Sequence, residues 1–276
     1  MNDCQIAIMS YARPELLARL TIPTLDRHHA DHDKIIVFVA DQEQAEIYRQ
    51  HVPDTIKIDI TALGHFTSIR EAHTRYPKDT RLLTLDDDIA AIEMKDGDKL
   101  ATFDGTIDDL ATTGFDLCER YGSRMWGIYP VRNAFYMADQ AVVGLRYIVG
   151  CLWGTYAQDV AVMTDNRLTM SSGNDFETTL QSYRHHGSVT RLDYITVHTK
   201  YFADGGIDAE LKQRGIDNRQ TDHSKVLRRI AQRHAPLARI YEKADGVVNI
   251  RLKSVTHRRI PRHTTPTSDT GHTTTT

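Results

Sequence analysis

Apolar residues cluster early in the chain into short unbroken blocks, at 5–9 (QIAIM), 34–40 (KIIVFVA), 56–60 and 82–85, with no 3.6-residue periodicity inside any of them. Blocks of this length, rich in β-branched residues, predict strands buried on both faces. Between them the composition turns helical: Pro14 is placed to open a helix reaching residue 25, and 42–51 and 67–76 contain few breakers. Strand alternating with helix predicts a parallel sheet with right-handed crossovers and helices on both faces. Further on, 89–94 reads as a strand, Asp96-Gly97 as a turn, 107–121 as an amphipathic helix and 125–129 as a strand. The stretch 131–170 is rich in aromatic and small residues, among them Tyr136, Tyr147, Trp153 and Tyr156, with strands expected near 146–151 and 160–163. A helix capped by Asn174 or Asp175 runs to 186, a strand follows at 189–198, and a polar loop at 204–220 holds a helical piece at 209–214. A basic helix over 224–244, a strand at 247–252 and a disordered Thr-rich tail complete the prediction.

The fourth apolar block ends in Asp86-Asp87-Asp88. No core compensates three like charges, so these carboxylates belong at the carboxyl end of the strand, where open α/β sheets bind ligands. Adjacent acids raise one another's pKa unless a cation neutralises them. A divalent ion that prefers oxygen ligands and carries substrate phosphates is therefore the natural partner, against the alternative of a solvated turn with an Asp cap.

With 276 residues, 40% hydrophobic and 26% charged, the chain fits one sizeable α/β domain or two small ones. Cys4, Cys118 and Cys151 form no CxxC pair and suit a reducing compartment better than a disulfide scaffold. The opening MNDCQIAIMSYARPE lacks the basic start and long apolar core of a signal peptide, and no apolar run reaches the roughly 18 residues of a membrane span. A cytoplasmic protein is expected. The net charge of −3 hides an asymmetry: residues 1–223 carry 23 basic and 34 acidic side chains, whereas 224–263 carry 11 and 2. Such a segment either contacts a polyanion through phosphate neutralisation or docks its cationic face on its own acidic body.

Taken in order, SYARP, LDDDI, WGIYPVRN, NDFETTL and HTKYFADGGI resemble the nucleotide-sugar glycosyltransferases of the GT-A fold, and within them the TET/JBP-associated glycosyltransferases that sugar-modify hydroxymethylated pyrimidines in phage and kinetoplastid DNA. The similarity spans roughly 5–207. It implies an α/β fold with a Rossmann-like, mostly parallel sheet: a GT-A domain at 1–223, a basic helical segment at 224–263 and a tail at 264–276. It implies that Asp88, or Asp87 in its place, binds Mn2+ or Mg2+ on the donor diphosphate together with Asp86, that Asp86 reaches the donor ribose, and that His198 completes the metal shell. Ser10, Tyr11 and Arg13 fall in the nucleoside-cradling motif, with Tyr11 stacking on the base and Asp41 accepting from the uracil; the plain alternatives are a core edge and a helix cap. Arg70 takes the position of a diphosphate-facing arginine. Asp175 matches the catalytic base of inverting members, with Glu177 second and helix capping as the alternative.

For that branch the donor is a UDP-sugar, UDP-glucose in first place, and the acceptor is 5-hydroxymethylcytosine or 5-hydroxymethyluracil in DNA, in a host bacterial cytoplasm if phage-encoded. Reaching a base in a duplex requires extruding it, and Trp126, Tyr129 and Trp153 are the expected stacking partners, or else ordinary core. Lys225, Arg228, Arg229, Arg233, Arg239, Arg251, Lys253, Arg258, Arg259 and Arg262 then grip the DNA backbone. The competing readings are a protein or polysaccharide acceptor, a non-catalytic DNA-binding protein with this fold, and a two-metal nucleotidyltransferase, for which the Gly-rich phosphate loop is missing.

Overall fold

The computed structural model describes residues 4–163, 173–199, 206–213, 215, 219–243 and 246–262; the expected tail at 264–276 lies outside them. Its first half alternates as the apolar blocks dictate: β1 (Gln5–Met9), α1 (Pro14–Arg19), α2 (Thr21–Arg27), β2 (Ile35–Val39), α3 (Gln42–Arg49), β3 (Lys57–Ile60), α4 (His65–His73) and β4 (Arg81–Asp86). The helix expected to run unbroken from Pro14 is split at Leu20. Pro23 accounts for the break: its ring clashes with the carbonyl four residues back, at Arg19, where α1 ends.

Then follow β5 (Ile89–Asp96), β6 (Lys99–Thr102), α5 (Ile107–Tyr121), β7 (Met125–Ile128), β8 (Gln140–Gly144), β9 (Leu152–Tyr156), α6 (Val160–Met163), α7 (Asn174–His186), β10 (Val189–Leu192), β11 (Ile195–Thr199), α8 (Gly206–Gln213), α9 (Arg219–Arg233), β12 (Ala238–Glu242), β13 (Val248–Leu252) and β14 (Arg258–Pro261). Three expectations fail here. The strands of the aromatic-rich stretch lie at β8 and β9, and 160–163 is a helical turn. The strand expected over 189–198 is two strands, because the turn at Asp193 and Tyr194 carries the chain out of one sheet into another. The basic helix stops at Arg233 instead of 244, since Pro236 has no N–H to donate to the carbonyl four residues back.

Nine strands make the main sheet, in the order β14-β8-β10-β7-β9-β4-β1-β2-β3. β3, β2, β1 and β4 are mutually parallel; β9 and β8 run against them, and β7, β10 and β14 run with them. Leu83 and Leu85 enter the core on one face, and Leu82 enters the core on the other. All three are essentially fully buried, each contributing about 2 kcal/mol, which fixes the register that delivers the acids to the sheet edge. A second sheet, β11-β5-β6, sits beside that edge.

The basic segment is part of this body. Val226, Leu227 and Ile230 of α9, Ala238 of β12 and Val248 and Ile250 of β13 share an apolar cluster with Leu145 and with Leu180 of α7. β14 pairs with β8 as the outermost strand of the main sheet.

Candidate active site at the carboxyl edge of the sheet

Parallel pairing sets Met9 of β1 opposite Asp86 of β4, so the loops after these two strands meet. Thr21, fully buried, pins the acidic turn: its hydroxyl donates to the Asp86 carbonyl at 3.0 Å and accepts from the Ile89 amide at 2.9 Å. The Asp86 amide donates to the Cys151 carbonyl at 3.0 Å. Sequence reasoning missed Thr21, which reads as an ordinary helical residue.

The three carboxylates differ in what they touch. Asp87 is 5% exposed and committed within the protein: one oxygen accepts from the Ser10 hydroxyl at 2.5 Å, the other pairs with the Arg13 guanidinium at 3.2 Å. Ser10 also bonds the Tyr48 hydroxyl at 2.6 Å, and the Tyr48 hydroxyl accepts from the Arg13 amide at 3.0 Å. Ser10 and Arg13 thus brace the acidic turn. Asp88 lies 3.7 Å from Arg13 through Oδ2, while its Oδ1 is buried without a hydrogen-bond partner. The Asp86 carboxylate makes no hydrogen bond or ion pair among the described residues.

Burial, then the charges of Asp88, Asp87 and Asp175, lift the Asp86 carboxyl well above the usual range. Burial and Asp87 push Asp88 up to about 6, with Arg13 opposing. One guanidinium facing three acids, with one buried oxygen orphaned, is a donor set that fits a hard divalent cation. Asp86 and Asp88 are the residues that would hold it.

Asp175 comes from the other half of the chain and reaches the same place, since its charge is felt by Asp86 and by Cys151. It does not cap its helix: α7 starts after Gly173 with no side-chain cap. Instead Asp175 Oδ2 accepts from the Tyr147 hydroxyl at 2.9 Å and from the Gly150 amide at 3.1 Å. A Cβ on Gly150 would stand 2.5 Å from Asp175 Oδ1, so only glycine admits the carboxylate this close. Tyr147, flanked by Phe176 at a ring distance of 4.4 Å, is a second residue sequence reasoning did not assign.

Glu177, the second candidate base, is engaged elsewhere. It is 1% exposed, and its oxygens pair with Arg233 at 2.9 Å and His234 at 3.1 Å, joining α7 to the end of α9. Two residues along a helix is more than half a turn, which carries Glu177 away from the face of Asp175. His198 is exposed on β11, and among the described residues no three His, Cys, Asp or Glu side chains converge to hold a metal, so it is not gathered with Asp86 and Asp88.

Asp41 is exposed and caps α3, accepting from the Gln44 amide at 2.8 Å. The Tyr11 hydroxyl donates to Gln213 of α8 at 2.5 Å, and the Tyr11 carbonyl accepts from the Gly206 amide at 2.9 Å, so the loop after β1 is closed over by the start and end of α8. Arg70, half-buried on α4, reaches the Met163 carbonyl at 3.5 Å, at the margin of 164–172, which lies outside the described residues. The segment 200–205 of the HTKYFADGGI motif lies outside them too. Trp126 and Trp153 are 0% and 3% exposed and belong to the core, whereas Phe135 at 81% and Tyr136 at 61% stand out from the surface.

No protein-family model matches the chain, and no curated protein matches its sequence. Among solved structures it is similar to the Staphylococcus aureus TarS segment 1–349 in complex with UDP-GlcNAc, at a TM-score of 0.53 and 14% identity, covering 83% of this chain and 66% of that one. Glucosyl-3-phosphoglycerate synthase from Mycobacterium tuberculosis, solved with Mn2+, UDP and glucosyl-3-phosphoglycerate, aligns over 95% of this chain and 91% of its own, at a TM-score of 0.48 and 8% identity. The TarS likeness carries one conclusion, about architecture: the chain is a mixed α/β protein with the GT-A fold.

Proposed function

We propose that the protein is a divalent-metal-dependent glycosyltransferase that moves a sugar, glucose in the first instance, from a UDP-sugar to the hydroxymethyl group of 5-hydroxymethylcytosine in DNA, as a phage-type DNA-modification enzyme of the TET/JBP-associated branch. The observation that carries the reading is the pairing of two unlike acidic groups at one sheet edge. On one side Asp86 and Asp88 offer carboxylate oxygens with little internal compensation; on the other a single carboxylate, Asp175, is aimed by Tyr147 and Gly150. A metal at Asp86 and Asp88, Mn2+ or Mg2+, would supply Lewis-acid stabilisation to the departing nucleoside diphosphate.

The chain's own part is a single displacement. The acceptor hydroxyl oxygen attacks the anomeric carbon as the bond from that carbon to the diphosphate oxygen breaks, and Asp175 takes the hydroxyl proton. Tyr147 and Gly150 hold the oxygen that does so, and displacement from the opposite face inverts the anomeric centre. Arg70, Tyr11 and Asp41 are assigned to the donor: diphosphate, base and uracil edge respectively. The nucleic-acid acceptor is supported by the uncompensated cations of the last segment. Lys225, Arg229, Arg239, Lys253 and Arg259 are exposed and make no ion pair among the described residues. Phe135 and Tyr136 are exposed aromatics of the kind that stack on bases.

The test is to incubate the protein with 5-hydroxymethylcytosine DNA, Mn2+ and a panel of UDP-sugars and to weigh the resulting nucleosides. A hexose on the modified base alone is expected. Asp175→Asn should abolish transfer while retaining UDP binding; near-normal turnover in that variant, or sugar delivered only to a protein or glycan, overturns the reading.

A further inference from the structure

One cationic cluster lies outside the site just described and next to its acceptor side. Arg146 immediately precedes Tyr147, the residue that aims Asp175. Its guanidinium donates to His257 Nε2 at 2.8 Å, and Arg259 Nε donates to the same nitrogen at 3.3 Å. The other ring nitrogen, Nδ1, faces the Val255 carbonyl at 3.2 Å, so it carries the proton and Nε2 presents a lone pair. A neutral nitrogen therefore stands where two guanidinium groups converge. Neither arginine has a carboxylate partner among the described residues.

A third guanidinium, Arg191, adds to the same field. It donates to the Tyr147 carbonyl at 3.3 Å and is paired through Nε with Asp193 at 2.6 Å. Burial, and then the charges of Arg191 and Arg259, depress the Arg146 pKa, with Asp193 opposing. Three cations thus face one carboxylate already claimed by one of them. The fold builds this approach deliberately close: a Cβ on Gly144, the last residue of β8, would stand 2.8 Å from His257 Cβ. The segment ahead of β14 is laid directly over β8, which sets His257 and Arg259 beside Arg146.

We propose that Arg146 and Arg259, brought together on His257 Nε2, form a phosphate-binding site that takes a backbone phosphodiester of the acceptor strand, next to the nucleotide being modified. Planar guanidinium forks match the tetrahedral oxygens of a phosphate and gain most where the positive charge is otherwise uncompensated. The site anchors the strand beside Tyr147 and so beside Asp175. Its ligand rests on the nucleic-acid reading of the function.

The test compares the intact protein with Arg146→Gln/Arg259→Gln, measuring the affinity for a fluorescent single-stranded 5-hydroxymethylcytosine oligonucleotide across a salt series. Losing one phosphate contact is expected to reduce the slope of log affinity against log salt by about 0.7. Acceptor KM should rise with kcat and UDP binding unchanged. A methylphosphonate placed beside the modified base should weaken binding to the intact protein and not to the variant. Arg259→Gln alone, an exposed change, serves where the double variant loses its fold, and should show the same insensitivity in part. Strand binding by the intact protein with slope, KM and methylphosphonate response unaltered in both variants overturns this inference alone. Absence of strand binding by the intact protein overturns it together with the nucleic-acid reading.

Discussion

His73 makes the fold acid-sensitive in a way that one substitution should remove. It sits on α4, 1% exposed, stacked at 6.4 Å on Trp153, with neither ring nitrogen hydrogen-bonded. Burial lowers its pKa from 6.5 to about 4, the charge of Asp159 opposing. The folded state therefore binds this proton less readily than the unfolded chain, so the stability is complete above pH 6.5 and drains away as the pH falls towards 4. A difference of about 2.5 units is worth about 3 kcal/mol in full, and about 2 kcal/mol at pH 5. His73→Phe keeps an aromatic ring against Trp153 and removes both the titration and the two orphaned nitrogens, each of which costs about 1–3 kcal/mol. Urea unfolding of both proteins at pH 8, 6.5 and 5 isolates the effect, because the carboxylates common to the two cancel in the difference. The advantage of His73→Phe should grow by about 2 kcal/mol between pH 8 and pH 5. Parallel curves across that range would refute the argument, whatever the offset between them.

Three further outcomes follow from the site. Gly150→Ala should lower kcat by at least about tenfold with UDP binding retained, since the new methyl displaces the Asp175 carboxylate by an ångström-scale shift, and steady-state kinetics reads it directly. Glu177→Ala leaves Arg233 and the fully buried His234 without their shared carboxylate partner and should cost about 3–5 kcal/mol in thermal or urea unfolding, less to the extent that Arg233 is one-third exposed. Burial alone would raise the Glu177 pKa, but His234 and Arg233 bring it below its ordinary 4.5, so this contribution holds above that value and fades as pH falls through the lowered one. Chelation by EDTA should abolish transfer and weaken UDP binding in calorimetry, with Mn2+ restoring both, and Asp88→Asn should blunt the restoration.

What could be read from the chain divides along physical lines. The acidic turn was legible because its signals are local: an unbroken apolar strand must end somewhere, and Asp86 to Asp88 mark where. The same holds for α5, whose capping box at Thr106 and Asp109 and left-handed Gly122 frame the predicted limits of 107–121. The surroundings of Asp175 depend on contacts between residues far apart in sequence. Tyr147 and Gly150 matter because they touch Asp175, and nothing in 145–151 announces that. Asp175 and Glu177 look alike as letters, and only the partners at the end of α9 separate a carboxylate held near Asp86 from one locked in an ion pair. For Trp126 and Trp153 a stacking role and an ordinary core position were both open, and contacts decide between them: Gly154 and Gly114 open the space that lets Trp126 fill the core.

The strand β14 bears on how the protein is made. β8 lies between β10 and β14, so its outer edge stays uncovered until residues beyond 258 have left the ribosome, well over a hundred residues after β8 itself. During that interval Ala141, Val142 and Val143 present unpaired backbone to any neighbouring chain, which is the geometry that nucleates strand-to-strand aggregation. Slow elongation between β8 and β14, or a substitution that delays pairing at Arg259 or Ile260, is therefore expected to lower soluble yield without altering the folded protein.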